Sequence, residues 1–262
     1  MKTLFLAWQD TSGRRWYTVG RLRLNAETYE FLYTKGALEA QKEADFRPLP
    51  SFPDLYEVYR SEQLFPIFSN RLVSPSRPDY EAFVDWLSLR DFEREPMSIL
   101  ARSGGKRMTD LFEVFPSPED DGSGIYQVYF FVHGLSHASP ASMERALRLE
   151  AGEKLLLMHD LQNPRDSEAL SLRTAETEPG DMYLMGYCPR YLLSDIHKLM
   201  RANRELPSVT IEKVNKPPAP VQFRLLCRMT MKWPHDFRPF SDYAYQPLAN
   251  GKQSDPELAR SK

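Results

Sequence analysis

The chain has 262 residues, 42% hydrophobic and 27% charged, with a formal net charge of −2. That length buries one large or two modest cores, and the near-neutral balance excludes an indiscriminate polyanion binder. No run approaches the roughly 18 apolar residues of a membrane helix, the N-terminus MKTLFLAWQD turns polar too soon for a secretory signal, and Cys188 and Cys227 form no C-x-x-C pair, so the expected place is the cytoplasm, away from membranes.

The first segment reads as a meander of short antiparallel strands: Leu4-Phe5-Leu6 with Trp8, then Trp16 to Leu24 after the turn Gly13-Arg14-Arg15, then Tyr29 to Tyr33 alternating around aromatics. Pro48, Pro50 and Pro53 break regularity. Short helices follow over residues 64–72, from Glu81 to Leu89 behind the capping stretch Ser76 to Tyr80, and from Pro96 to Ala101. A strand from Leu111 to Phe115 completes an α+β half. The acidic, turn-forming stretch Ser117 to Gly124 reads as a linker or a hairpin tip next to it, which puts a boundary near residue 120 and makes residues 1–120 one module.

Beyond the linker come a strand near Phe130, a helix, a strand ending in Asp160-Leu161-Gln162-Asn163-Pro164-Arg165-Asp166, a further strand, and Gly186-Tyr187-Cys188-Pro189-Arg190 opening a helix. Ser208 to Lys216 and Val221 to Trp233 alternate as strands on either side of Pro217-Pro218-Ala219-Pro220. These two are expected to close a barrel over residues 121–235. Residues 236–262 are expected to be a tail, disordered from Asn250.

Charge is unevenly spread. Residues 1–129 carry 16 Lys/Arg against 20 Asp/Glu, whereas residues 186–233 carry nine against three. The second stretch has the electrostatic footprint of nucleic-acid contact, although a solvated helix-and-strand face produces the same excess.

Catalytic constellations are not found in the sequence. Ser103-Gly104-Gly105-Lys106-Arg107 lacks the first glycine and the final Ser/Thr of a phosphate loop. The five histidines have no ligand spacing, and no serine sits in a G-x-S-x-G elbow. The expectation is a binding protein that is not an enzyme, with no catalytic residue, metal or cofactor.

The order of words from Phe130 to Met200 resembles the HIRAN domain. That resemblance implies a small OB-like β-barrel with flanking helices, of a family found fused to SNF2-type helicases or alone in bacteria. Its best-described property is binding single-stranded DNA, notably at a free 3′ end. Carried over by position, Asp166 matches an acid that accepts from the terminal sugar hydroxyl, Arg165 stands where the family has an aromatic, and Ser136-His137 stand where it has an Arg-Tyr pair. Tyr187 matches a frequent aromatic or histidine near the ligand, and Arg190 falls in the first turn of the following helix, where guanidinium and backbone N–H groups both meet a phosphate. Arg165 and Arg190 together would form a positive edge, and His137 would stack on a base. Asx residues and proline between strands are also what a tight turn requires, so a turn-only role for this loop stays open.

Val19-Gly20-Arg21-Leu22, Tyr29 to Tyr33, Leu64 to Leu72 and Ile99 to Gly105 together resemble the N-terminal subdomain of HipA-type toxin kinases. This implies a partner-facing module over residues 1–120, without the kinase core. Two functions follow. The first is a nucleic-acid-binding protein that holds single-stranded DNA or DNA ends in repair, replication or bacterial defence; the second is an adaptor or antitoxin-like protein acting through residues 1–120.

Overall fold

The computed structural model describes residues 2–164, 166–176 and 179–249. The chain divides into two units, each drawing on separated stretches. Unit 1 takes residues up to Arg71, Gly104–Pro116 and the chain from Ser241 on; unit 2 takes Leu72–Ser103 and Ser117–Phe240.

Unit 1 contains β1 (Lys2–Gln9), β2 (Trp16–Asn25), β3 (Thr28–Tyr33), α1 (Lys35–Ala44), β4 (Tyr59–Ser61), α2 (Pro66–Ser69) and β5 (Phe112–Pro116). Its strands form one antiparallel sheet in the order β4-β3-β2-β1-β5. Alternation along β3 sends Phe31 into a layer where its ring stacks on Phe52 at 4.1 Å. Tyr33 is fully buried but satisfied: its hydroxyl donates to the Phe52 carbonyl at 2.8 Å and accepts the Leu49 N–H at 2.6 Å. Helix α1 was not anticipated, because only Gly36, Ala37 and Ala40 are buried and small residues leave no apolar period to read. A side chain at Gly36 would collide with the Thr18 carbonyl, so α1 lies directly on β2.

Residues 241–249, expected as part of a tail, complete unit 1. Lys35 N donates to Gln246 O at 2.8 Å, Leu248 N to Tyr33 O at 2.9 Å, and Tyr245 meets the Phe5 ring edge-on at 5.3 Å. The stretch from Asn250, expected to be disordered, lies outside the described residues.

Unit 2 contains α3 (Tyr80–Trp86), α4 (Pro96–Ser103), β6 (Ile125–Phe131), α5 (Pro140–Arg148), β7 (Lys154–His159), β8 (Leu170–Thr174), β9 (Leu184–Tyr187), α6 (Leu193–Ala202), β10 (Ser208–Val214) and β11 (Leu225–Lys232). Its antiparallel sheet runs β6-β11-β10-β7-β8-β9 and curls so that its two ends approach one another. The expected closing pair, β10 and β11, lies inside the sheet instead. The edges meet just past β6, where His133 N donates to Tyr187 O at 3.0 Å and Tyr187 N to His133 O at 2.9 Å. Gly186 makes this approach possible: its φ is +134°, and any Cβ there would strike the His133 carbonyl and the Val132 side chain.

Residues 72–103, read from sequence as part of the first module, belong to the core of unit 2. Phe83, Val84, Leu87, Leu89 and Ile99 pack with Phe131, Phe223 and Leu226, and the Phe223 ring sits edge-on to Phe131 at 5.1 Å and to Phe83 at 5.9 Å. The Asn215 side-chain amide donates to Trp86 O at 2.9 Å and Phe223 O at 2.7 Å. The division near residue 120 thus matches only one passage of the chain, Pro116 to Ser117. An apolar helix face tells that it needs a sheet but not which one.

Candidate nucleic-acid interface

The joined edge of unit 2 gathers three loops. After His133, Gly134 adopts φ +76° and starts a 3-10 turn, Leu135–His137, that packs against β9. Leu135 is buried, which leaves Ser136 and His137 exposed beside that strand. Ser139 then caps α5, its hydroxyl oxygen accepting the Ser142 N–H at 3.1 Å.

The loop from Asp160 to Ala169, between β7 and β8, folds on its own side chains. Asp160 N donates to Ala169 O at 2.9 Å, Asp166 N to the Asn163 Oδ1 at 3.2 Å, and Glu168 N to the Asp166 Oδ1 at 3.1 Å. These Asx contacts satisfy backbone donors that a tight turn would otherwise leave open. Across the gap, the Tyr187 hydroxyl donates to the Asp160 Oδ2 at 3.0 Å. Burial, with the bond to Asp160 second, pushes the Tyr187 phenol up from its ordinary value.

Arg190 reaches the same loop. Its Nε lies 2.7 Å from the Asp166 Oδ2, with the aspartate side chain 19% exposed and the arginine 44%. The first-turn position expected for Arg190 is corrected: it stands in a 3-10 turn, Arg190–Leu192, ahead of α6, whose N-cap is Leu192. Its backbone N–H is therefore not one of the first-turn donors of that helix.

Tyr187, Asp166 and Arg190 are thus linked around one loop, and Ser136 and His137 lie on the turn that abuts β9. Arg165 falls outside the described residues. Sequence reasoning missed Asp160, which pairs with Tyr187 from 27 positions away. It also missed a histidine brace: His159 Nε2 bonds Ser167 O at 2.8 Å, His197 Nε2 bonds Glu168 O at 3.0 Å, and the two rings lie 5.3 Å apart. A third omission is structural. Arg145 on α5 joins Asp181 at 2.9 Å and Glu153 at 2.7 Å, and these two carboxylates hold its guanidinium firmly protonated. Only the fold brings such distant partners together. Among the described residues no group of three or more His, Cys, Asp or Glu has a metal-holding arrangement.

The match to known proteins covers this same region. Residues 125–231 match the family described as the HIRAN domain. The crystal structure of the HIRAN domain of human HLTF is 16% identical, with 41% of this chain and 74% of that one covered at a TM-score of 0.30. A crystal structure of a protein from Lactobacillus plantarum is 18% identical, with 41% and 96% covered at a TM-score of 0.31. No curated protein matches the chain. The resemblance of the first half to HipA-type kinases finds no support in these matches. Residues 125–231 of this chain are a HIRAN domain.

Proposed function

We propose that this protein binds DNA through its HIRAN domain, and that it holds single strands or strand ends along the edge where β6 meets β9. The observation that carries the reading is the gathering of the 135–137 turn, Tyr187, Asp166 and Arg190 at one edge by the His133–Tyr187 closure. Arg190, His137 and Asp166 each have a task there. Arg190 is solvent-accessible, and a guanidinium with five N–H donors can reach a phosphate oxygen while its Nε keeps the bond to Asp166. A charge-assisted bond to that phosphate returns roughly 1.5–3 kcal/mol. Exposed His137 offers a face on which one base stacks. Asp166 already accepts from Glu168 N and Arg190, but a carboxylate has about four lone-pair sites and retains room for a sugar hydroxyl. A module of this kind serves DNA repair, replication or a bacterial defence system by keeping a strand or an end in place.

Fluorescence anisotropy with single-stranded, blunt duplex and 3′-phosphate-capped oligonucleotides tests the reading. The full chain is expected to prefer single strands over duplex. Asp166→Asn is expected to erase any preference for a free over a capped 3′ end while overall affinity stays within a few-fold. Equal affinity for duplex and single strand would defeat the single-strand reading; a wild type indifferent to capping would make Asp166 a turn residue only.

A further inference from the structure

Unit 1 carries an unexplained pair of cations. Arg21 and Arg23 lie two apart on β2 and therefore point to the same face of the sheet, roughly 6.6 Å from one another along the strand. Their cross-strand neighbours are Phe5 and Leu32 for Arg21, and Thr3 and Glu30 for Arg23. The apolar end of this face is closed by Phe5, stacked on Phe115 and met by Tyr245. Its other end presents two half-buried guanidiniums side by side.

Five arginines in the described chain have a buried Nε without a hydrogen-bond partner: Arg21, Arg23, Arg71, Arg94 and Arg224. Three of them are anchored through their terminal nitrogens. Arg71 holds Gly105 O and Asp110, Arg94 holds Glu81 and Asp91, and Arg224 holds Asn215 O and Ala219 O. Arg21 and Arg23 make no hydrogen bond or ion pair among the described residues. The carboxylate of Glu30, opposite Arg23 on β3, attracts both charges but is itself paired with Arg60 at 3.0 Å. Burial, with the neighbouring charge of Arg23 second, pushes the Arg21 guanidinium down to about 10, and burial also lowers Arg23. Two like charges, partly stripped of water and sharing with Arg60 the single carboxylate of Glu30, weaken the sheet that carries them. An arrangement with that cost fits a site filled by an external anion.

We propose that Arg21 and Arg23 form a second oxyanion site, which binds neighbouring phosphates of a nucleic-acid strand on the face of the unit 1 sheet. Arginine forks suit phosphate oxygens, and the two-residue spacing along β2 offers successive cations to an extended, phosphate-bearing chain. An acidic protein segment would meet the same charges, but a strand is the ligand that the HIRAN domain of this chain already calls for. The identity of the occupant therefore rests on the strand-binding reading; the oxyanion chemistry does not.

The experiment uses the full chain as wild type, Arg21→Gln/Arg23→Gln, Arg21→Lys/Arg23→Lys and Arg190→Ala. Melting temperature is read without ligand and against tripolyphosphate, and single-strand affinity is read across a salt series with a long oligothymidylate. The Gln pair is expected to melt higher than wild type without ligand, because it removes two half-buried like charges that share one carboxylate with Arg60, and to lose stabilisation by tripolyphosphate. Its log K against log salt slope is expected to flatten by about 1.4, two phosphates at about 0.7 each. The Lys pair, keeping charge without the fork, is expected to fall between. A Gln pair that melts lower than wild type, or that tripolyphosphate stabilises as well as wild type, overturns the site. A lost tripolyphosphate response with an unchanged strand slope overturns the strand as its occupant. Failure of the HIRAN reading shows separately, as strand binding that Arg190→Ala leaves unaltered while the Gln pair weakens it.

Discussion

The two units complete their sheets with pieces from opposite sides of the chain, and they end in different shapes. Unit 1 leaves β4 and β5 as separate edges and covers its Phe5 face with Tyr245 from the C-terminal stretch. Unit 2 joins its edges through His133 and Tyr187 and takes α3 and α4 against Phe131 and Phe223. An open sheet presents a face; a joined one presents a rim of loops held in register. The polar groups proposed for strand contact accordingly lie on loops in unit 2 and on a strand face in unit 1.

If residues 72–103 are integral to unit 2, the largest loss comes from the aromatic that ties them to the sheet. Phe223→Ala is expected to cost about 3–5 kcal/mol, read by denaturant unfolding, because Phe223 is buried among Phe83, Phe131 and Leu226. A cost below about 1 kcal/mol would detach the helices from the core and restore a boundary near 120. Gly186→Ala attacks the closure itself. The new methyl collides with the His133 carbonyl at a backbone conformation that L residues rarely adopt, so a loss of about 1–3 kcal/mol is expected together with weaker strand binding. Full strand affinity in a folded Gly186→Ala protein would separate the joined edge from the site. A smaller effect is expected for Tyr187→Phe, which removes the bond to Asp160: about 0.5–1.5 kcal/mol of stability, with the 160–169 amides exchanging faster by hydrogen exchange.

Much of this was legible in the sequence because local chemistry dictated it. Alternating aromatics marked β3, and the run of Asx residues with Pro164 marked a loop over 160–166 before its turn contacts were visible. What the sequence hid was long-range or steric. The helix Lys35–Ala44 buries only small residues. Pro189 read as the start of a helix, yet a 3-10 turn intervenes and moves Arg190 ahead of α6. Gly186 was read only as the first residue of the stretch to Arg190 that opens a helix, and only the crossing of Val132 and His133 shows why no side chain fits there. The membership of residues 72–103 depends on which apolar face fits Phe223, a fact no periodicity records.

The central claim is that Arg190 meets a strand phosphate beside its Asp166 partner, and the salt dependence of single-strand affinity in Arg190→Ala tests it most directly. The account predicts that all single strands weaken alike, with the log K against log salt slope flattened by about 0.7 and the melting temperature unchanged. An unaltered slope and affinity in the folded variant would contradict it, leaving the 2.7 Å pair with Asp166 as a brace for the loop and nothing more.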